Sequence, residues 1–340
     1  MIRARATTLT AVILTVIAAA CATTTDPLTP GTSSERGDPQ RILDKFDVQG
    51  HRGARGLKPE NTLPAFEAAL DLGVSTLELD LHFTADGEVV ISHDPAIDPA
   101  KCGLRPGAPA GIPDPDDPET SPSELAIRTM TAQDIQWFVC DRNPDPGKFP
   151  QQTSDPTAVA GDNFSMVTLD QLIDFVQEYA SSETKTEEQR NNARSVVFNV
   201  ETKRKANDPA RIGDGFDGVN AGPFEIKLLE IINDRQIRGR VIVQSFDLRS
   251  IRAINAVDPT IRLSALTSDG SIRLAEYVAA GATIWSPRAS TVTADLVTQA
   301  HALGLAVIPW TVNETDEIDR LTAMGVDGII TDLPGLFVGR

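Results

Sequence analysis

From Phe46 onward, short apolar runs rich in Val and Ile alternate with longer segments whose apolar positions recur at helical spacing. D-V-Q-G-H reads as a strand end, and the next segment predicts a helix from about Leu63 to Leu72, with Pro64 tolerated in its first turn. S-T-L-E-L-D-L-H-F at 75–83 is the next strand. A helix begins again near Leu169, and from there S-V-V-F-N-V-E-T-K, V-I-V-Q-S-F, I-R-L-S-A-L, A-T-I-W-S-P, L-A-V-I-P-W-T-V-N and D-G-I-I-T-D each read as a strand followed or preceded by an amphipathic helix. Such alternation predicts a parallel sheet covered by helices.

The count narrows the architecture. Parallel strands ending at His51, Leu81, Glu201, Ser245, Leu266, Pro287, Asn313 and Asp332 make eight β/α units. Eight units fit a TIM (β/α)8 barrel better than an open doubly wound sheet. The T-A-D-G sequence at 84–87 marks a tight hairpin, so E-V-V-I-S-H-D is not itself a barrel strand. Pairing outward from Asp86-Gly87 returns His93 to about the level of Leu79 and Asp80. The interruption at 95–165 holds 12 of the 23 prolines, two cysteines and one short helical pattern near Glu124–Phe138. Leaving from the barrel mouth, this insertion is expected to cap the active site.

Residues 1–20 change the picture at the other end. Arg3 and Arg5 precede an apolar run, Ala11–Ala20, that is too short to span a bilayer. This is an export signal, and Cys21 directly after it resembles a bacterial lipoprotein processing site; ordinary cleavage after Ala18-Ala19-Ala20 is the alternative. Residues 21–45, rich in Thr, Ser, Pro and Gly, read as a flexible tether, and 46–340 as the barrel. An exported protein of the cell envelope, lipid-anchored at the surface or in the periplasm, is expected. In that setting Cys102 and Cys140 are expected to form a disulfide, which would contribute ~4 kcal/mol; two free thiols are the alternative.

With 31 Lys+Arg against 48 Asp+Glu, the formal net charge is −17. That excess argues against nucleic acid or anionic lipid bound through bulk charge. The only expected membrane association is the lipid anchor.

Strand ends at the C-terminal face of such a barrel carry the chemistry. Those ends supply His51 and Arg52, then Glu78 and Asp80, then Glu201 and Lys203, with His93 returned by the hairpin. Residues at i and i+2 on a strand point the same way, so Glu78 joins Asp80 and Glu201 joins Lys203. Three hard carboxylates suit one divalent cation, Ca²⁺ or Mg²⁺, and without nearby thiolates a zinc site is disfavoured. Two histidines provide an acid and a base, while Arg52 and Lys203 suit a phosphate. Together these groups indicate phosphoryl chemistry.

The motifs H-R-G, P-E-N-T-x-x-A-F, E-L-D and T-x-D-G-x-x-V-x-x-H-D resemble the glycerophosphodiester phosphodiesterase family. So do N-V-E-T-K (199–203), Q-S-F-D (244–247), P-W-T-V-N (309–313) and D-G-I-I-T-D (327–332), over about residues 46–336. The resemblance implies a metal-dependent TIM barrel that hydrolyses small-molecule glycerophosphodiesters to sn-glycerol 3-phosphate and an alcohol. It implies His51 and His93 as the acid/base pair, Glu78, Asp80 and Glu201 as metal ligands, and Arg52 and Lys203 as phosphate contacts. Glu60 would be a supporting residue of the substrate-binding site near His51 and Arg52, and Trp310 would contact the glycerol moiety. Gln244 and Phe246 are further candidates at the mouth, with structural roles as the alternative. The implied mechanism runs through a cyclic phosphate formed by the substrate's own 2-hydroxyl. A related enzyme acting on lysophospholipid, sphingomyelin or a teichoic-acid-like polymer is the alternative within this chemistry. An inactive cell-surface binding lipoprotein is the alternative outside it.

Overall fold

The alternating apolar runs close into a barrel with one antiparallel hairpin at its mouth. The computed structural model describes residues 46–268 and 270–338. The leader, the tether and Cys21 lie outside the described residues. Strand β1 (Asp47–Gly50) is followed by β2 (Thr76–Phe83) and the hairpin return β3 (Val89–Ile91). Two short strands, β4 (Gly103–Leu104) and β5 (Phe138–Val139), belong to the insertion. The barrel continues through β6 (Val197–Thr202), β7 (Val241–Ser245), β8 (Arg262–Thr267), β9 (Ile284–Pro287), β10 (Ala306–Val307) and β11 (Gly328–Thr331). Its parallel order is β10-β9-β8-β7-β6-β2-β1-β11.

Only the seam between β10 and β11 departs from a regular ladder. There the Asp327 N–H donates to the Val307 carbonyl at 2.9 Å, and the Ile330 N–H to the Pro309 carbonyl at 2.9 Å. The strand expected over 305–313 is therefore just two residues long. Pro309 has no N–H to donate toward β11, which leaves the ladder incomplete on that side, while the Trp310 N–H beyond it still donates to the Pro287 carbonyl at 2.9 Å.

Period-two alternation sorts the side chains. Leu77, Leu79 and Leu81 pack outward in the main core with helix residues such as Phe66 and Leu70. The opposite face fills the barrel in layers. At one end Val197, Ile242, Ile284, Ala306, Ile308 and Ile330 form a separate apolar plug. Above it Asn199 donates to Gln49 (2.7 Å) and to Gln244 (3.1 Å). The register Asp80↔Glu201 then sets the carboxylates side by side at the mouth.

The hairpin forms as the sequence predicts. Leu81 pairs with Ile91, and the Ser92 N–H donates to the Asp80 carbonyl at 3.0 Å, which brings His93 back beside the carboxylates. Helix Leu63–Asp71 is capped by Thr62, and its buried Glu67 accepts from the Thr157 hydroxyl (2.6 Å) and the Ala160 N–H (2.7 Å). That carboxylate ties the far end of the insertion to the barrel.

The insertion has an apolar cluster of its own, including Ile97, Ile127, Ile135, Phe138 and Met166. Cys102 and Cys140 are joined in a disulfide. Of the expected helical pattern near 124–138, the chain realises a single 3-10 turn, Ile127–Thr129, and the short helix Ala132–Ile135. Helix Glu187–Ser195 was not predicted from periodicity, because only Ala193 of it is buried. Its Thr186/Gln189 capping box was the legible cue.

Candidate active site

H-R-G at the end of β1 builds a tight turn. Arg52 (φ 52°) and Gly53 (φ 85°) are both left-handed, and a Cβ on Gly53 would lie 2.6 Å from the Ala65 carbonyl oxygen. The Arg52 N–H donates to Glu78 Oε2 at 3.0 Å, locking the turn onto β2. His51 and Arg52 thereby present their side chains at the mouth.

His51 Nδ1 sits 2.6 Å from Asp332 Oδ1 at the end of β11. Asp332 is also bound by Arg55 (Nη2 to Oδ2, 3.0 Å) and by the Asn313 amide (2.7 Å). Burial works against its charge, but His51 and Arg55 hold the carboxyl well below the usual range. An ionised Asp332 accepts only, so Nδ1 carries the His51 proton and Nε2 is left for the cavity. Burial, with Arg55 adding to it, pushes His51 down to about 4 against the pull of Asp332.

Glu78, Asp80 and Glu201 are 2%, 1% and 6% exposed, and each offers an oxygen within 4.8 Å of the others. Lys203 Nζ lies 3.1 Å from Asp80 and 2.9 Å from Glu201, and Arg52 Nε lies 3.1 Å from Asp80. Asn61 donates to Asp80 (2.9 Å) and Gln244 to Glu78 (2.7 Å). For Asp80, burial is outweighed by Lys203 and Arg52, and its pKa falls. Glu78 is raised by burial and then by Asp80 and Glu201. Glu201 is pushed up to about 7, first by burial, with Lys203 opposing and Asp80 adding. Two of the three carboxyls thus resist ionisation as they stand. An oxygen-only donor set short of positive charge fits a divalent cation.

His93 stands on the other side. Its Nδ1 is 2.9 Å from Asp94 Oδ1, and burial lowers its pKa. Lys101, from the insertion, bridges Asp94 (2.5 Å) and Glu60 (2.9 Å). Glu60 in turn accepts from Arg52 (2.8 Å) and Arg55 (3.2 Å). Glu60 therefore holds both arginines, one of them Arg52 as expected.

Trp310 and Phe246 meet edge to face at 5.6 Å, and the Trp310 indole N–H donates to the Ser286 carbonyl at 3.0 Å. They wall one side of a cavity of about 410 Å³ that also exposes His51, Arg52, His93 and Lys203. A narrower cavity of about 50 Å³, sharing Arg55 and His93, runs beneath the insertion. Sequence reasoning missed Asp332, Asp94, Arg55, Asn61 and Lys101. The first four sit inside or beside the quoted motifs; Asp332 and Asp94 were legible as polar residues just past strand ends, whereas Arg55 and Asn61 lie in the connection between β1 and helix Leu63–Asp71. Lys101 lies in the insertion, where no periodicity points to it.

Residues 51–336 match the model of the glycerophosphoryl diester phosphodiesterase family. A glycerophosphodiester phosphodiesterase of Caldanaerobacter subterraneus is 25% identical over 291 residues, covering 84% of this chain and 94% of that one. A solved Silicibacter pomeroyi structure carrying the family's description is 27% identical, with a TM-score of 0.67 over 86% of this chain and 91% of that one. An Oleispira antarctica phosphodiesterase solved with the product sn-glycerol-3-phosphate shares the fold, with 17% identity, a TM-score of 0.60 and coverage of 85% and 94%.

Proposed function

The chain belongs to the glycerophosphoryl diester phosphodiesterase family, and from that premise we propose that it hydrolyses glycerophosphodiesters to sn-glycerol 3-phosphate and a free alcohol. One observation carries this reading. Two histidines, each with Nδ1 held by an aspartate, flank a buried triad of carboxylates and share one cavity with Arg52 and Lys203.

The chain's own groups perform the proton work. One histidine Nε2 takes the proton of the substrate's 2-hydroxyl as that oxygen attacks phosphorus. The other delivers a proton to the departing alkoxide as its P–O bond breaks, leaving a cyclic glycerol phosphate. In the second step the roles reverse, and water opens the ring. Arg52 and Lys203 orient the phosphate oxygens, and the Trp310–Phe246 wall packs against the glycerol. Glu78, Asp80 and Glu201 are the residues that would hold a divalent cation, Ca²⁺ or Mg²⁺, which would supply neutralising charge beside the phosphate and lower the pKa of a nearby hydroxyl.

The test is sn-glycerol 3-phosphate release from glycerophosphocholine by wild type, His51→Ala and His93→Ala. Loss of about 10²–10⁴-fold in either variant is expected. Near-wild-type turnover in either variant sinks the assignment.

The same proposal includes location. The leader at residues 1–20 followed by Cys21 supports an exported, lipid-anchored enzyme at the cell envelope. Mass spectrometry of the mature N-terminus decides it: an acylated Cys21 supports it, and an unmodified N-terminus overturns it.

A further inference from the structure

We propose that the mouth of this site carries a second anion subsite, formed by Lys148, Lys205 and Arg211, that selects diesters whose leaving alcohol bears a further phosphate. The inference rests on the hydrolysis proposed above and names its substrate class.

The argument begins with charge accounting at the cavity. Four of its cations are already committed: Arg52 and Arg55 to Glu60, Lys203 to Asp80 and Glu201, and Arg204 to Asp214 and Glu225. Lys148, Lys205 and Arg211 also line it, and none of the three makes an ion pair among the described residues. They come from two places: Lys148 from the insertion, and Lys205 and Arg211 from the loop after β6, which contains the 3-10 turn Pro209–Arg211. In a chain of net charge −17, three unpaired cations converging on one cavity are not a by-product of a basic surface.

Two local features suit the binding of an anion here. Arg211 Nη2 donates to the His93 carbonyl at 3.3 Å, yet its Nε is buried with no acceptor. A buried guanidinium N–H without a partner is costly, and a ligand oxygen would satisfy it. Lys148 Nζ lies 5.0 Å from the Phe149 ring centroid, and the Arg55 guanidinium also lies 5.0 Å from it. Each cation is attracted to the ring, but they repel each other, and an anion at the mouth relieves that repulsion.

The reacting diester has a single negative charge, and the proposed hydrolysis places it against Arg52 and Lys203, whose ion pairs with Glu60, Asp80 and Glu201 keep them beside the carboxylate triad. Three more cations match a second phosphate on the leaving side. The same charges repel a quaternary ammonium such as choline, so the subsite discriminates by attraction and by repulsion. A short soluble phosphorylated diester and a poly(glycerol phosphate) chain share this chemistry.

The experiment compares kcat/KM for glycerophosphoglycerol, the same diester phosphorylated on its leaving glycerol, glycerophosphocholine and poly(glycerol phosphate). Wild type is expected to prefer the phosphorylated diester over glycerophosphoglycerol by at least tenfold, and added NaCl should erode that ratio. In Lys148→Gln/Lys205→Gln the ratio should fall at least tenfold. A wild-type ratio within threefold of unity, or a double variant that leaves the ratio within threefold, overturns the subsite. Preference for the polymer over the short diester identifies the polymer as the source, and the reverse identifies the small molecule; either supports the subsite. Calorimetric binding of the phosphorylated diester to His51→Ala, with and without the two lysines, answers independently of turnover. A tenfold weakening supports the subsite, and a change below threefold overturns it. Absence of turnover on every diester would end the hydrolysis reading while this binding arm still decides the subsite.

Discussion

His51 Nδ1 lies 2.6 Å from Asp332 Oδ1, so the first and last strands of the barrel jointly hold one histidine–aspartate pair. Asp332 fixes the tautomer that leaves Nε2 for the cavity. Asp332→Asn keeps the shape but replaces an obligate acceptor with a group that can present either an acceptor or a donor. The expected loss in kcat is on the order of 10²-fold or more, with KM changed far less. Steady-state kinetics checks this, and a loss below threefold would show that Asp332 does not orient the ring.

Lys101 connects the insertion to both sides of the site through Asp94 and Glu60. Removing its charge leaves two carboxylates facing one another beside His93. Lys101→Met should lower kcat about tenfold or more, and Lys101→Arg should recover part of it. Both variants should melt within a few degrees of wild type, which separates positioning from folding.

The disulfide lies directly beside Lys101, since Cys102 is the next residue. Cys102→Ser/Cys140→Ser loosens the segment that carries that ammonium. Loss of a native disulfide costs about 2–5 kcal/mol, so a lower thermal midpoint is expected. Turnover should fall toward the level of Lys101→Met. An unchanged midpoint and rate would show that the insertion holds its shape through its apolar cluster alone.

His82 is buried on β2 and pushed down to about 3, by burial first and then by Arg211 and Lys203. Its folded value lies below the unfolded value near ~6.5, so the unfolded chain takes up the proton first as pH falls. The stabilisation is complete above about pH 6.5 and is lost progressively down to about 3. Urea midpoints should drop across that window, and His82→Gln should flatten the slope. An identical slope in wild type and variant would assign the acid sensitivity to other groups.

Glu201 completes the carboxylate triad from a different strand than Glu78 and Asp80. Adding Ca²⁺ or Mg²⁺ to chelated wild type should raise the thermal midpoint, because a ligand that binds only the folded state stabilises it. Glu201→Gln should show a much smaller rise. An equal rise in both would place the cation elsewhere.

Much of the fold is legible in the chain itself. The period-two alternation of T-L-E-L-D-L placed Leu77 and Leu79 in the core and Glu78 and Asp80 in the barrel. The T-A-D-G turn correctly excluded Val89–Ile91 from the count of barrel strands. Two elements escaped this logic for opposite reasons. Pro309 cut short a strand whose apolar run looked continuous, and helix Glu187–Ser195 formed with almost no apolar face to announce it.

The sequence by itself determined which polar side chains stand at strand ends, because strand periodicity depends only on near neighbours along the chain. Only the tertiary structure decided which of them meet. Asp332 reaches His51 across 281 positions because β11 pairs with β1. Lys101 reaches Glu60 and Asp94 because the insertion packs on its own apolar cluster and returns to Glu67. Lys148 of the insertion likewise lines one cavity with Lys205 and Arg211 of the loop after β6, although the two segments share no pattern. Such contacts depend on barrel closure and on loop packing, which involve partners far apart in the chain and leave no local period to read.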